Sequence, residues 1–229
     1  MKLISRFGCI FAGILLSLSA LRAEDRVIID WSAQATGLLP PTLPDTKIQV
    51  ISEPEARVID STTDPKPPFE GSALFVQTNE GKGGVNLAIK PFGEPVRKGW
   101  IQFQGALQGG AITVELFANV DLGENTTSSS FAVIHIQPNY PLVMRLPNIE
   151  GGLKTDTAVA DKEPHTFRFA WDFETPPPQL QIELDGQAMM IKQIETDFIP
   201  LDPRVAGGGV DRVIIGNSGG SLGNITGSE

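Results

Sequence analysis

Cysteine is all but absent from this chain: Cys9 is the only one in 229 residues. It falls inside a leader. Lys2 and Arg6 give residues 1–23 a positive start, Phe7 to Leu21 form an apolar run, and Ala23 offers a small residue at a cleavage site. That pattern is a secretory signal peptide, although Leu21 is not the ideal small residue at the −3 position. The apolar run is too short to span a bilayer comfortably, which argues against a membrane anchor. Cys9 stands at its start rather than after it, which argues against a lipoprotein. Residues 24–229 then hold no cysteine, so no disulfide can staple the exported chain and a hydrophobic core must hold it alone. This favours a bacterial exported protein over an animal extracellular module.

Basic charge is also scarce. There are 18 Lys and Arg against 27 Asp and Glu, a formal net charge of −9. Removing the leader takes away Lys2, Arg6 and Arg22 and moves that charge to −12. So acidic a chain repels phosphate backbones, and no nucleic-acid partner is expected. No second apolar segment follows the leader. The expectation is a protein in the secreted or periplasmic space that does not remain with the membrane.

Helical periodicity is the third absence. Apolar residues repeat with a period of two almost everywhere. Val27, Ile29 and Trp31 share one face of "RVIIDW"; Leu74 and Val76 oppose Ala73 and Phe75; Val85, Leu87 and Ile89 oppose Asn86 and Ala88. "GWIQFQG", "AITVELF", "SFAVIHIQP" and "PLVMRL" continue the series. Phe167, Phe169 and Trp171 then alternate with Arg168 and Asp172, and Leu180, Ile182 and Leu184 with Gln181, Glu183 and Asp185. "VDRVIIGN" closes it. Breaks such as "LLPPTLPD", "DPKPPFEG", "FETPPPQ" and "GNSGGSLGN" carry Pro and Gly and are too short for interdomain linkers. The one helical candidate is "LKTDTAVADKE". About ten strands without a βαβ rhythm predict a single all-β domain over residues 24–229, a two-sheet antiparallel β-sandwich.

One hairpin carries a resemblance. "HTFRFAWD", a Pro-rich turn, and "LQIELDGQ" resemble a hairpin of the concanavalin A-like lectin/glucanase superfamily, which includes the laminin G-like domains. "GSALFVQT" and "RVIIGNSGGSLG" resemble other strands of that jelly roll. Asp185-Gly186 has the composition of a tight turn. The resemblance implies a concanavalin A-like jelly roll. In laminin G-like chains another strand follows the glycine loop; here the chain reaches only "NITGSE", so the N-terminal "RVIIDW" is expected to close the sheet.

Chemistry is sparse. The superfamily's glycoside hydrolases place two glutamates on one face of a Glu-x-Asp-x-x-Glu strand. Glu183-Leu184-Asp185 lacks the third carboxylate and runs into Gly186. His135 and His165, the only histidines, lie in strand patterns and are read as structural. No Gly-x-Ser-x-Gly setting and no clustered zinc ligands are present. Calcium is the one metal with candidate ligands, Asn119, Asp121, Glu124 and Asn125 in one acidic loop. Trp31 and Trp171 read as core; Trp100 at a strand start and Tyr140 in a turn are the candidates for stacking on a sugar. The sequons at Asn125 and Asn224 carry no meaning in a bacterial product. The reading is an exported non-catalytic sandwich that binds a glycan or another extracellular partner. A polysaccharide-active enzyme of the same superfamily and a structural envelope component are the alternatives.

Overall fold

The computed structural model describes residues 26–78, 83–90, 93–122 and 130–228. Residues 1–23, read from the sequence as a leader, lie outside them. The alternation read from the sequence becomes two stacked antiparallel sheets. The smaller sheet orders its seven strands as β10 (Ile149–Ala158), β9 (Pro141–Leu146), β8 (Ser130–Ile136), β7 (Ile112–Ala118), β15 (Val210–Asn217), β5 (Gly84–Ile89) and β2 (Thr46–Ile51). The larger runs β13 (Gln187–Ala188), β12 (Gln179–Leu184), β11 (His165–Asp172), β6 (Lys98–Leu107), β16 (Gly220–Ser228), β4 (Ala73–Gln77) and β3 (Glu55–Ile59). In it, β1 (Arg26–Ile29) also pairs with β16, and β14 (Phe198–Pro200) with β12.

Inward positions of both sheets meet in one core. Ile101, Phe103, Phe167, Phe169, Leu180 and Ile182 from the larger sheet face Val85, Leu87, Val114, Ile134, Met144 and Val213 from the smaller. Phe103 packs on Phe167 and Phe169 with ring centres 5.6 and 6.0 Å apart. The two core tryptophans each find an acceptor for the indole N–H: Trp31 donates to the Gly223 carbonyl and Trp171 to the Val96 carbonyl, both at 2.9 Å. This satisfies the polar atom that burial would otherwise strand. A second cluster of Ile59, Ala73 and Phe75, capped by Phe69, lies on the outer face of the larger sheet under the loop of residues 60–72.

Several expectations change. "GGSLGNITGS" is a strand, β16, at the centre of the larger sheet. Its glycines allow close approach: a Cβ on Gly220, at φ +128°, would fall 2.0 Å from the Ala106 carbonyl oxygen. The chain therefore supplies the strand that follows the glycine loop, and β1 pairs with it, so the termini do meet. A bulge between Val27 and Ile29 turns Val27 outward, off the face that alternation expects it to share with Ile29 and Trp31. "LKTDTA" is strand β10, not helix. Leu153 and Thr155 are buried while Lys154 and Asp156 are exposed, and the Thr155 hydroxyl accepts from Leu142 N at 3.0 Å. Strands β2 and β3 have no counterpart in the alternation read from the sequence. The Asp185-Gly186 turn is as expected: both residues have positive φ, 53° and 77°, between the paired Leu184 and Gln187.

Candidate functional site

The outer face of the larger sheet is built by the polar half of the alternation. In β6, Ile101 and Phe103 point into the core, so Trp100, Gln102 and Gln104 point out. Register sets Glu183, Arg168, Gln102 and Thr226 side by side across β12, β11, β6 and β16. The Arg168 Nη1 donates to both Glu183 carboxylate oxygens at 3.1 and 3.2 Å, and its guanidinium carbon lies 4.9 Å from the centre of the Trp100 ring. Trp100 is thus half-buried and braced by a cation–π contact. At one end of the face Lys98 donates to Asp172 at 2.8 Å. Burial pushes the Asp172 carboxyl up, but hydrogen bonds from Lys98 and from the backbone of Glu174 and Thr175 outweigh it and leave the pKa lowered.

The end of the loop of residues 60–72 borders this face and forms one wall of a half-open cavity of about 200 Å³. It is lined by Glu70, Ser72, Gln102, Gln104, Asn224 and Thr226, with Phe103 between the two glutamines. Asn224 also anchors the N-terminal turn to β16. Its Oδ1 accepts from Trp31 N at 2.9 Å and its Nδ2 donates to Asp30 at 3.3 Å. The other polar groups offer amide and hydroxyl donors and acceptors to a hydroxyl-rich ligand.

The two aromatic candidates are not on one platform. Trp100 belongs to this face, whereas Tyr140 is 63% exposed in the β8–β9 turn of the smaller sheet. The two carboxylates weighed for catalysis also part company. Glu183 is held by Arg168, while Asp185 accepts from Thr166 N at 2.8 Å and meets His165 Nδ1 at 2.8 Å. His165 packs edge-on to Phe167. His135 lies half-buried on the outer face of the smaller sheet, 3.4 Å from the Thr113 hydroxyl; burial, and then Arg145, push its pKa down.

Of the calcium candidates, Asn119 Oδ1 accepts from Gly209 N at 2.8 Å. Asp121 lies near Arg204, whose pKa is raised first by its hydrogen bond to Asp202 and further by the charges of Asp202 and Asp121. Glu124 and Asn125 lie outside the described residues. Among the described residues no three His, Cys, Asp or Glu side chains gather into a metal-holding group.

No family model and no curated protein matches this sequence. Solved structures do. A carbohydrate esterase of the Shiga toxin-encoding bacteriophage phi24B is similar over 80% of this chain and 88% of its own, at 17% identity and a TM-score of 0.50. The fold is the concanavalin A-like jelly roll. Lectin II from Ulex europaeus is similar over 85% of this chain and 99% of its own, at 10% identity and a TM-score of 0.44. An alginate lyase of Pseudomonas aeruginosa is similar over 65% and 72%, at 11% identity and a TM-score of 0.40. At these identities the likeness is one of fold alone.

Gln102 and Gln104 are legible as outward positions of "GWIQFQG", although nothing in the sequence singles them out. Glu70, Ser72 and Thr226 give no such signal, because only the folded loop and the glycine-rich strand β16 bring them to Gln102.

Proposed function

We propose that this is an exported, non-catalytic protein that binds a polysaccharide on the outer face of its larger sheet. The observation that carries the reading is the polar row Glu183–Arg168–Gln102–Thr226 beside Trp100, opening into the cavity at the end of the loop of residues 60–72. Sugars are recognised by planar hydrogen-bonding groups beside an aromatic surface, and that combination stands here on rigid strands. A phage carbohydrate esterase of similar fold fits the carbohydrate part of this reading.

The carboxylates support the non-catalytic part as far as glycoside hydrolysis is concerned. Glycoside hydrolysis uses two carboxyl groups, about 5 to 9.5 Å apart, flanking the scissile bond. On this face Glu183 is ion-paired with Arg168, and Glu70 is the one carboxylate among the cavity's lining residues.

The test is retention of the purified chain on a panel of immobilised polysaccharides, first with calcium and then with a chelator. Retention on one polymer, lost in Trp100→Ala, supports the reading. Loss on chelation would show that binding depends on calcium. Release of new reducing ends, abolished by Glu70→Gln or Glu183→Gln, would overturn the non-catalytic part.

A further inference from the structure

We infer that this site selects glycans that are neutral or carry an amine, and turns away polyuronates and sulfated polymers; the inference rests on the glycan-binding reading above. Among the residues that line the cavity Glu70 is the single ionisable one, and the others offer amides and hydroxyls. No lining residue among the described ones is cationic. Cations do stand on the strands of this face, but each of three is already held by a carboxylate. Arg168 is held by Glu183 at 3.1 Å, Lys98 by Asp172 at 2.8 Å, and Arg57 by Glu55. Arg57 also donates to the Asp64 carbonyl at 2.9 Å.

Proteins that bind uronates and sulfates present a guanidinium fork or an ammonium group to the anion. At those three positions an anionic sugar would have to break an ion pair to gain a cation; Lys66 of the loop of residues 60–72 is exposed but is not among the residues that line the cavity. The sugar would also bring its charge against Glu70, and two like charges a few ångströms apart at a partly enclosed surface repel more strongly than in bulk water. A neutral sugar meets only hydrogen-bonding partners. An amine-bearing sugar gains the Glu70 carboxylate as an acceptor.

The whole chain is acidic as well, at −9, and that also repels polyanions. The two effects differ in range. Salt at about 0.15 M screens charges beyond roughly 8 Å, so the distant charges fade while Glu70 still acts within the cavity.

The experiment uses matched polymer pairs at that salt: alginate and polygalacturonate, each beside its carboxyl-reduced counterpart, with chitosan as the amine-bearing probe. The purified chain and its Glu70→Gln variant are compared by affinity electrophoresis. The expected result is binding to a neutral or amine-bearing polymer at least about tenfold tighter than to an acidic one, a difference of about 1.4 kcal/mol. In Glu70→Gln most of that gap closes. Ser72→Asp, which adds a carboxylate to the lining, widens it and serves if Glu70→Gln does not fold. Binding of alginate or polygalacturonate as tight as that of the reduced polymer overturns the selectivity and leaves the glycan reading standing. A gap that neither variant changes overturns the assignment of selectivity to this cavity. Retention on no polymer of any class overturns the glycan reading, and this inference with it.

Discussion

The two outer faces of the sandwich come from the same rule and differ row by row: the smaller sheet has one polar row, Gln49, Asn86, Gly216, Thr113 and His135, next to a more aliphatic one. On the smaller sheet, register aligns Lys47, Ala88, Ile214, Glu115, Val133 and Arg145 in the other row, aliphatic and half-buried at Ala88, Ile214 and Val133. On the larger sheet the equivalent row is Glu183, Arg168, Gln102 and Thr226. The smaller sheet's row has charge at Lys47, Glu115 and Arg145, and its aliphatic members have no hydrogen bond to offer a hydroxyl group. The larger sheet's row is a continuous set of donors and acceptors, bordered on one side by the loop of residues 60–72. Alternation decides which residues face out; their chemistry, and the loop that borders them, decide which face can recognise a ligand.

The change expected to break this arrangement most severely is Gly220→Ala. It forces a Cβ against the Ala106 carbonyl in the strand that carries Thr226, at a φ of +128° that L residues rarely adopt. A loss of about 3 kcal/mol or more is expected, read as a lower urea midpoint.

Next comes the contrast between the faces. Trp100→Ala should weaken glycan retention by at least about tenfold, worth about 1.4 kcal/mol, because it removes the ring that braces Arg168. Ile214→Ser on the opposite face should leave retention unchanged while both variants keep a cooperative melt. Equal losses in both would mean that the effect is one of stability and not of recognition.

The smallest expected effect is one of pH, and it separates the faces by where they titrate. His135 on the smaller sheet has its pKa lowered from 6.5 by burial and then by Arg145. The unfolded chain takes up a proton there first, so stability falls as the pH drops below 6.5 toward the lowered value. Asp172 on the larger sheet is lowered from 3.8, so its contribution is present above 3.8 and is lost only as the pH falls further, through the folded value. Acid titration of stability should show both windows. His135→Gln should erase the upper one alone, and Asp172→Asn the lower one in part, since Asp202 is lowered too, chiefly by Arg204.

Much of the fold is legible in the sequence, and the parts that are not share a cause. Strands with large apolar residues at every second position, such as β6, β11 and β12, announce both their type and their inward face. β16 does not, because its place at the centre of a sheet requires glycine where neighbouring backbones crowd, and glycine reads as a turn. β10 reads as a weak helix because Thr155, its buried position, is accommodated through a hydrogen bond to Leu142 and not through apolarity. β2 escapes because Val50 and Ile51 are exposed and blur the alternation. The site shows the same division. Trp100 stands out by residue type, whereas the cavity depends on a loop laid against a sheet, and no local pattern in "DPKPPFEG" points Glu70 at Gln102.

The most direct test of the glycan-binding face is amide chemical-shift mapping of the chain titrated with a retained oligosaccharide. The expected shifts cluster at Trp100, Gln102, Gln104 and Thr226, with Thr113, His135 and Ile214 unmoved. Shifts confined to the smaller sheet, or to the Tyr140 turn, would contradict it.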